Sequence, residues 1–139
     1  MRGECACGAV KVMINPKPDF IHDCNCSLCR KVGAAWGYFP SARVSAEGAT
    51  HPYSRTDKGT PAVEVHSCPT CGSTTHFALT ESFKADNPDA DQMGVNMRLF
   101  EPEQLGGIEV RYPDGRAWSG EGAFVYRAPS LVIGESAPW

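Results

Sequence analysis

Apolar and polar residues along this chain alternate in short runs and rarely repeat at helical spacing. Residues 10–14 alternate at first and then turn apolar, as a half-buried strand does. Residues 62–66 alternate again, the compact aromatic run 34–39 reads as a strand ending at Pro40, and 75–79 and 93–100 are further expected strands. A further pair is expected at 108–112 and 117–118, joined by the tight turn Pro113-Asp114-Gly115-Arg116. Residues 15–19 are a turn by composition, and Gly48, Pro52 and Gly59 break 43–60 into a hairpin or meander. Helix is expected only as one turn at 101–105, with Pro102 early in it. The acidic, polar stretch 80–92 reads as an exposed loop near the rim of a site. Beyond residue 118 the apolar pieces 123–126 and 131–133 carry no legible chemistry.

The cysteines change this picture from a generic β chain to a metal-binding one. Cys24, Cys26 and Cys29 lie within six positions, in the stretch Cys-Asn-Cys-Ser-Leu-Cys-Arg. That spacing is too close for a disulfide framework and suits one soft metal ion. Cys5-x-Cys7 and Cys68-x-x-Cys71 form two further pairs, and Gly72 supplies the positive φ that a zinc-knuckle turn needs. Four thiolates from these pairs would close one tetrahedral zinc site, structural in role, tying the N-terminus to the middle of the chain. Strand-like alternation would set His22, Cys24 and Cys26 on one side of the backbone, with Cys29 returning through the following turn.

Three cysteines are left for a second zinc, and two readings of it stand side by side. In the first the fourth position is open, which is the form of a catalytic site. In the second a protein group closes it: His22 first, then His66, His76 or Asp23. His51 reads as a surface residue. An open zinc with three thiolates is a weaker Lewis acid than one with three histidines. It is better suited to holding an exogenous thiolate, which can attack an electrophilic carbon, than to making hydroxide. A small-molecule thiol is then the natural fourth ligand. If it is glutathione, its carboxylates need cations, and Arg30, Lys31 and Arg98 are the candidates.

Composition and charge narrow the alternatives. At 139 residues with 42% hydrophobic and 21% charged residues, the chain is read as one domain with an ordinary core. The formal charge is −3, and it becomes about −6 once seven thiolates and two zinc ions are counted. Arg30-Lys31 is the only adjacent basic pair, so nucleic acid is not an expected partner. No stretch is long and apolar enough for a membrane span, and the first residues lack a secretory h-region. The expected location is therefore cytoplasmic, where thiols stay reduced and free to bind metal.

With these residues in view, the chain resembles the glutathione-dependent formaldehyde-activating enzyme family, which includes centromere protein V. The matching stretches are Gly3-Glu4-Cys5-Ala6-Cys7-Gly8-Ala9-Val10, Cys24 to Lys31 with Gly33-Ala34, Cys68 to Gly72, and Val95-Asn96-Met97-Arg98. They span residues 3 to about 118, leaving 119–139 as an unassigned tail. The resemblance implies a mostly β fold of small antiparallel sheets, a coiled β-tent related to zinc ribbons. It also implies a structural zinc on Cys5, Cys7, Cys68 and Cys71 and a second zinc on Cys24, Cys26 and Cys29, which an open three-ligand site should lose more easily than a closed one. The implied activity is that of a carbon–sulfur lyase joining glutathione, or another thiol, to formaldehyde or a small aldehyde. The rival is a non-catalytic zinc module with both sites closed. A zinc-containing methionine sulfoxide reductase ranks last, because no cysteine follows Cys71.

Overall fold

The computed structural model describes residues 1–134, 137 and 139. The chain is mostly β. Its first half runs β1 (Arg2–Glu4), β2 (Lys11–Ile14), β3 (Phe20–His22), α1 (Ser27–Val32), β4 (Trp36–Phe39), β5 (Val44–Glu47) and β6 (His51–Ser54). The second half runs β7 (Val63–Ser67), β8 (Thr74–Leu79), α2 (Glu81–Asp86), β9 (Met93–Asn96), β10 (Glu109–Pro113) and β11 (Tyr126–Val132). Three strands form one sheet in the order β1-β2-β5, and eight form another in the order β11-β10-β3-β4-β9-β8-β7-β6. All pairings are antiparallel except β3 with β10, which is parallel and sets Ile21 against Val110 and His22 against Arg111.

Alternation along the central strands builds two apolar layers. Val12 and Ile14 of β2 meet Ile21, Ala35, Phe39, Val95, Met97 and Val110 in the larger core. Trp36 and Tyr38, on the opposite side of β4 from Phe39, pack with Val65 and Phe77 under Leu28 and Val32 of α1. Each fully buried side chain of this kind contributes about 1.5–3 kcal/mol. Gly94 is needed where β9 passes β8, because a Cβ there would collide with the Phe77 ring.

Several expected elements are drawn differently. Residues 43–60 do hold two strands, but they do not pair with each other: β5 joins β2 and β6 joins β7. Residues 117–118 are not a strand; the antiparallel partner of β10 is β11, drawn from the tail. The stretch 80–92 contains the short helix α2, capped by Thr80 Oγ1 accepting from Phe83 N at 3.2 Å. Past Asn96 the expected strand 93–100 tightens into a 3-10 turn, Met97–Leu99. The helical turn at Pro102–Leu105 is present, as a 3-10 turn.

Asn96 stitches these layers together. Its buried side chain accepts from Ala35 N at 3.2 Å and from Arg98 N at 3.2 Å, and donates to Thr74 O at 2.9 Å. An Asn96→Leu variant keeps the volume but strands these buried partners, each worth about 1–3 kcal/mol when unpaired. Urea unfolding should show a loss of at least ~2 kcal/mol; an unchanged midpoint would contradict this role. A second expectation concerns pH. Burial pushes the His76 imidazole down to about 4, and the stacked His66 ring, 4.4 Å away across β7 and β8, adds repulsion to any charge. The fold therefore favours neutral His76. Its contribution is whole above the ordinary histidine pKa of about 6.5 and is lost as pH falls toward 4. Melting curves of the protein and His76→Gln between pH 7 and 4 should converge as the pH drops.

Candidate metal centres

Two knuckle turns bring the outer cysteines together. In the first, Gly8 N donates to Cys5 O at 2.8 Å; in the second, Gly72 N donates to Cys68 O at 2.9 Å. Both glycines have positive φ, 74° and 75°. Ala6 N donates to Ser73 Oγ at 3.2 Å and so clasps one turn against the other. The four sulfurs lie within 4.8 Å of one another, with Cys5 to Cys7 at 3.6 Å and Cys7 to Cys68 at 3.7 Å. A metal–sulfur distance of ~2.3 Å sets a tetrahedral edge of ~3.8 Å, so these thiols fit one zinc-sized ion. Val10 N donates to Cys5 Sγ at 3.2 Å, a contact that favours thiolate. The Ser73 side chain and backbone hold the Cys71 thiol down at about 5.

The second cluster sits on the connection from β3 to β4. Its local fold differs from the strand-like expectation. Only Phe20–His22 are extended; Cys26 caps α1, its Sγ accepting from Cys29 N at 3.4 Å, and Gly33 closes the helix at φ 65°. One helical turn therefore brings Cys29 back beside Cys26. Cys24, Cys26 and Cys29 place their sulfurs within 4.8 Å of one another. Cys24 Sγ accepts from Cys26 N at 3.4 Å, and Cys29 Sγ accepts from Trp36 Nε1 at 3.2 Å. The thiols of Cys24 and Cys29, with the Cys29 and Leu28 amides, hold Cys26 at about 2, whereas Cys24 and Cys26 push Cys29 upward. One negative charge is thus already favoured among the three sulfurs.

Parallel pairing of β3 and β10 sends both strands out at the same end, so the turn after β10 lands on this cluster. Asn25 Nδ2 donates to Asp114 Oδ1 at 2.9 Å, and Arg116 N donates to Asn25 Oδ1 at 3.0 Å. Gly115 lies so close that any Cβ would collide with Cys24 Sγ.

None of the proposed closing groups joins the three sulfurs. Among the described residues, no His, Asp or Glu atom lies within 4.8 Å of all of them. His22 Nδ1 instead pairs with Tyr38 Oη at 3.3 Å, while its Nε2 is buried without a partner. His66 pairs with Thr50 and His76 with Thr75. Asp23 is held by Arg98 at 2.8 Å and Arg127 at 3.5 Å. His51, exposed, opens β6.

Two hollows flank the cluster. One, about 370 Å³, is lined by Cys24 and Cys29 together with Arg30, Arg98 and Arg127, against the single carboxylate of Asp23. The other, about 250 Å³, touches all three cysteines and is otherwise walled mainly by aromatic and aliphatic side chains, with His22 among them. Lys31 faces elsewhere, onto a separate hollow with Tyr53, Arg55 and Asp57. Residues 80–92 line neither hollow beside the cysteines. Arg127 and Phe124 were not legible as site residues, since a lone arginine and a lone phenylalanine in an unassigned tail carry no spacing signal, and Trp118 was legible only as part of an expected strand. Asp114 and Gly115 were legible only as a turn.

Comparison with known proteins brings the cysteine pattern and the fold together. The family model described as glutathione-dependent formaldehyde-activating enzyme matches residues 1–104. A Halomonas elongata protein with the provisional name glutathione-dependent formaldehyde-activating enzyme is 33% identical over 82 residues, covering 52% of each chain. The chain thus spans about half the length of that curated relative. A crystal structure of a Rhodobacter sphaeroides protein superposes with a TM-score of 0.58 at 28% identity, covering 78% of this chain and 97% of that one.

The contact of Gly115 with Cys24 yields a direct test. Gly115→Ala should displace Cys24 and lower metal content by one ion per chain, with the outer four-cysteine site still loaded. Elemental analysis of the purified variant checks this; two ions retained would mean that the close approach does not matter.

Proposed function

The chain belongs to the glutathione-dependent formaldehyde-activating enzyme family, and from that premise we propose that it is a zinc-dependent carbon–sulfur lyase joining a thiol, glutathione first among them, to a small aldehyde. It would work as one zinc-binding unit over residues 1–139, in the cytoplasm. Cys5, Cys7, Cys68 and Cys71 would hold a structural zinc, and Cys24, Cys26 and Cys29 a second, reactive one. When bound, the second ion would supply a fourth position that keeps an incoming thiol ionised at neutral pH.

The observation that carries this reading is the three-sulfur cluster, which has no fourth protein donor among the described residues and borders a basic hollow and an apolar one. The chain's own residues then divide the work. Arg30 and Arg98, joined by Arg127, would bind the carboxylates of the thiol. Asp23 holds Arg98 and Arg127 in place rather than neutralising all three cations. Lys31, on a different hollow, would act only at long range. The Trp36 indole and the Cys26 and Cys29 amides would orient the sulfurs and temper their charge, leaving the bound thiol the better nucleophile.

Native mass spectrometry before and after adding glutathione tests the open site. Two zinc ions, with glutathione retained only when the second is present, is the expected result. Two zinc ions and no uptake of any thiol would favour the rival module with both sites closed. In a formaldehyde assay, Arg98→Ala and Arg127→Ala should each raise the KM for glutathione about tenfold, the worth of one charge-assisted hydrogen bond. The KM for aldehyde should not change; a uniform fall in kcat alone would argue against carboxylate binding there.

A further inference from the structure

We propose that the aldehyde taken by this site carries an apolar group of aromatic size, so that an aryl aldehyde is preferred over formaldehyde. This rests on the thiol–aldehyde reading above and narrows one of its two substrates. The starting observation is the 250 Å³ cavity that touches Cys24, Cys26 and Cys29. Formaldehyde is little larger than water, whose share of liquid volume is about 30 Å³, whereas an apolar cavity of about 150 Å³ accommodates benzene. Formaldehyde alone would leave most of this wall uncovered.

The wall is chemically consistent with an aromatic occupant. Trp36, Tyr38, Phe77, Trp118 and Phe124 line it. Both indole N–H groups are already engaged, Trp36 with Cys29 Sγ and Trp118 with Gly122 O at 3.1 Å, so the indoles leave their carbon surfaces for contact. Trp118 and Phe124 stand 4.7 Å apart. The polar exception is His22, whose buried Nε2 lacks a partner; a carbonyl oxygen is the kind of acceptor that an Nε2–H requires. Trp118 and Phe124 also lie beyond residues 1–104, the part matched by the family model. This part of the wall therefore belongs to the chain's own C-terminal segment.

The chemistry balances without any further reactant. The thiolate sulfur forms a bond to the aldehyde carbon, and the carbonyl π pair moves to oxygen. That oxygen takes up one proton, equal to the one the thiol released. The product is a hemithioacetal, with nothing oxidised and no leaving group.

The test uses the full, zinc-loaded protein with benzyl alcohol as an unreactive probe, followed by tryptophan fluorescence and proton NMR. Alongside it, kcat/KM is measured with glutathione and either benzaldehyde or formaldehyde. The expected result is probe-dependent shifts of the cavity aromatics and at least about a hundredfold preference for benzaldehyde, since each added methylene-sized contact is worth roughly tenfold or more. Val63→Trp, which places bulk in the cavity wall, should lower that preference toward one. A silent probe together with a preference for formaldehyde overturns the proposal and leaves the thiol–aldehyde reading intact. Turnover of neither aldehyde sinks that reading; probe binding, measured separately, would still support an aromatic occupant.

Discussion

The parallel pairing of β3 with β10 is the contact on which the candidate site depends. Antiparallel neighbours leave a sheet at opposite ends, so their exits are far apart. Two parallel strands leave together, and here the two exits are the cysteine loop after His22 and the Asp114-Gly115 turn. Their meeting is secured by Asn25, which donates to Asp114 and accepts from Arg116. The same pairing leaves the free edge of β10 to β11, which carries Arg127 toward Asp23. A local motif of three cysteines thereby acquires a neighbouring turn 89 positions from Asn25 and a cation 104 positions from Asp23.

The two sulfur clusters solve a shared electrostatic problem in different ways. Thiolates at 3.6–3.7 Å repel one another unless a cation or donated protons intervene. The outer cluster has four donors, two matched turns and a clasp through Ser73, so a metal there completes its own coordination. The inner cluster has three donors and leans on backbone amides and the Trp36 indole. The two hollows lined by its cysteines lie beside those three donors, where a fourth ligand would have to enter. The two clusters also hold different parts of the fold: the outer one joins the β1–β2 and β7–β8 turns, and the inner one sits between β3 and β4 beside the turn after β10.

Much of this was legible in the sequence, and what was not has a common physical cause. Strands such as Lys11–Ile14 and Val63–Ser67 announced themselves by alternation, Trp36–Phe39 by its aromatic run, and the knuckle at Cys68–Gly72 by its spacing and glycine. The helix Ser27–Val32 did not, because six residues with a cysteine as N-cap offer neither periodicity nor an ordinary capping side chain. Strand partners were hidden as well. Residues 43–60 look like a hairpin locally, yet their two strands belong to different sheets, since pairing is decided by which apolar face must be covered. Arg127 and Phe124 could not be placed from composition, because their role exists only once β11 has found β10.

The arrangement of the hollows bears on how a thiol and an aldehyde could be kept distinct. A thiol that carries carboxylates would be drawn by Arg30, Arg98 and Arg127, while the aromatic cavity would offer those groups no compensation for lost water. An apolar electrophile has the opposite preference. Cys24 and Cys29 border both spaces, so the two reactants can be sorted by polarity and still meet at one boundary. Charge in one hollow and apolar surface in the other would then favour one productive orientation over its reverse. Such an ordering would need no moving part, because it would follow from which hollow each reactant can enter without losing more solvation than it regains.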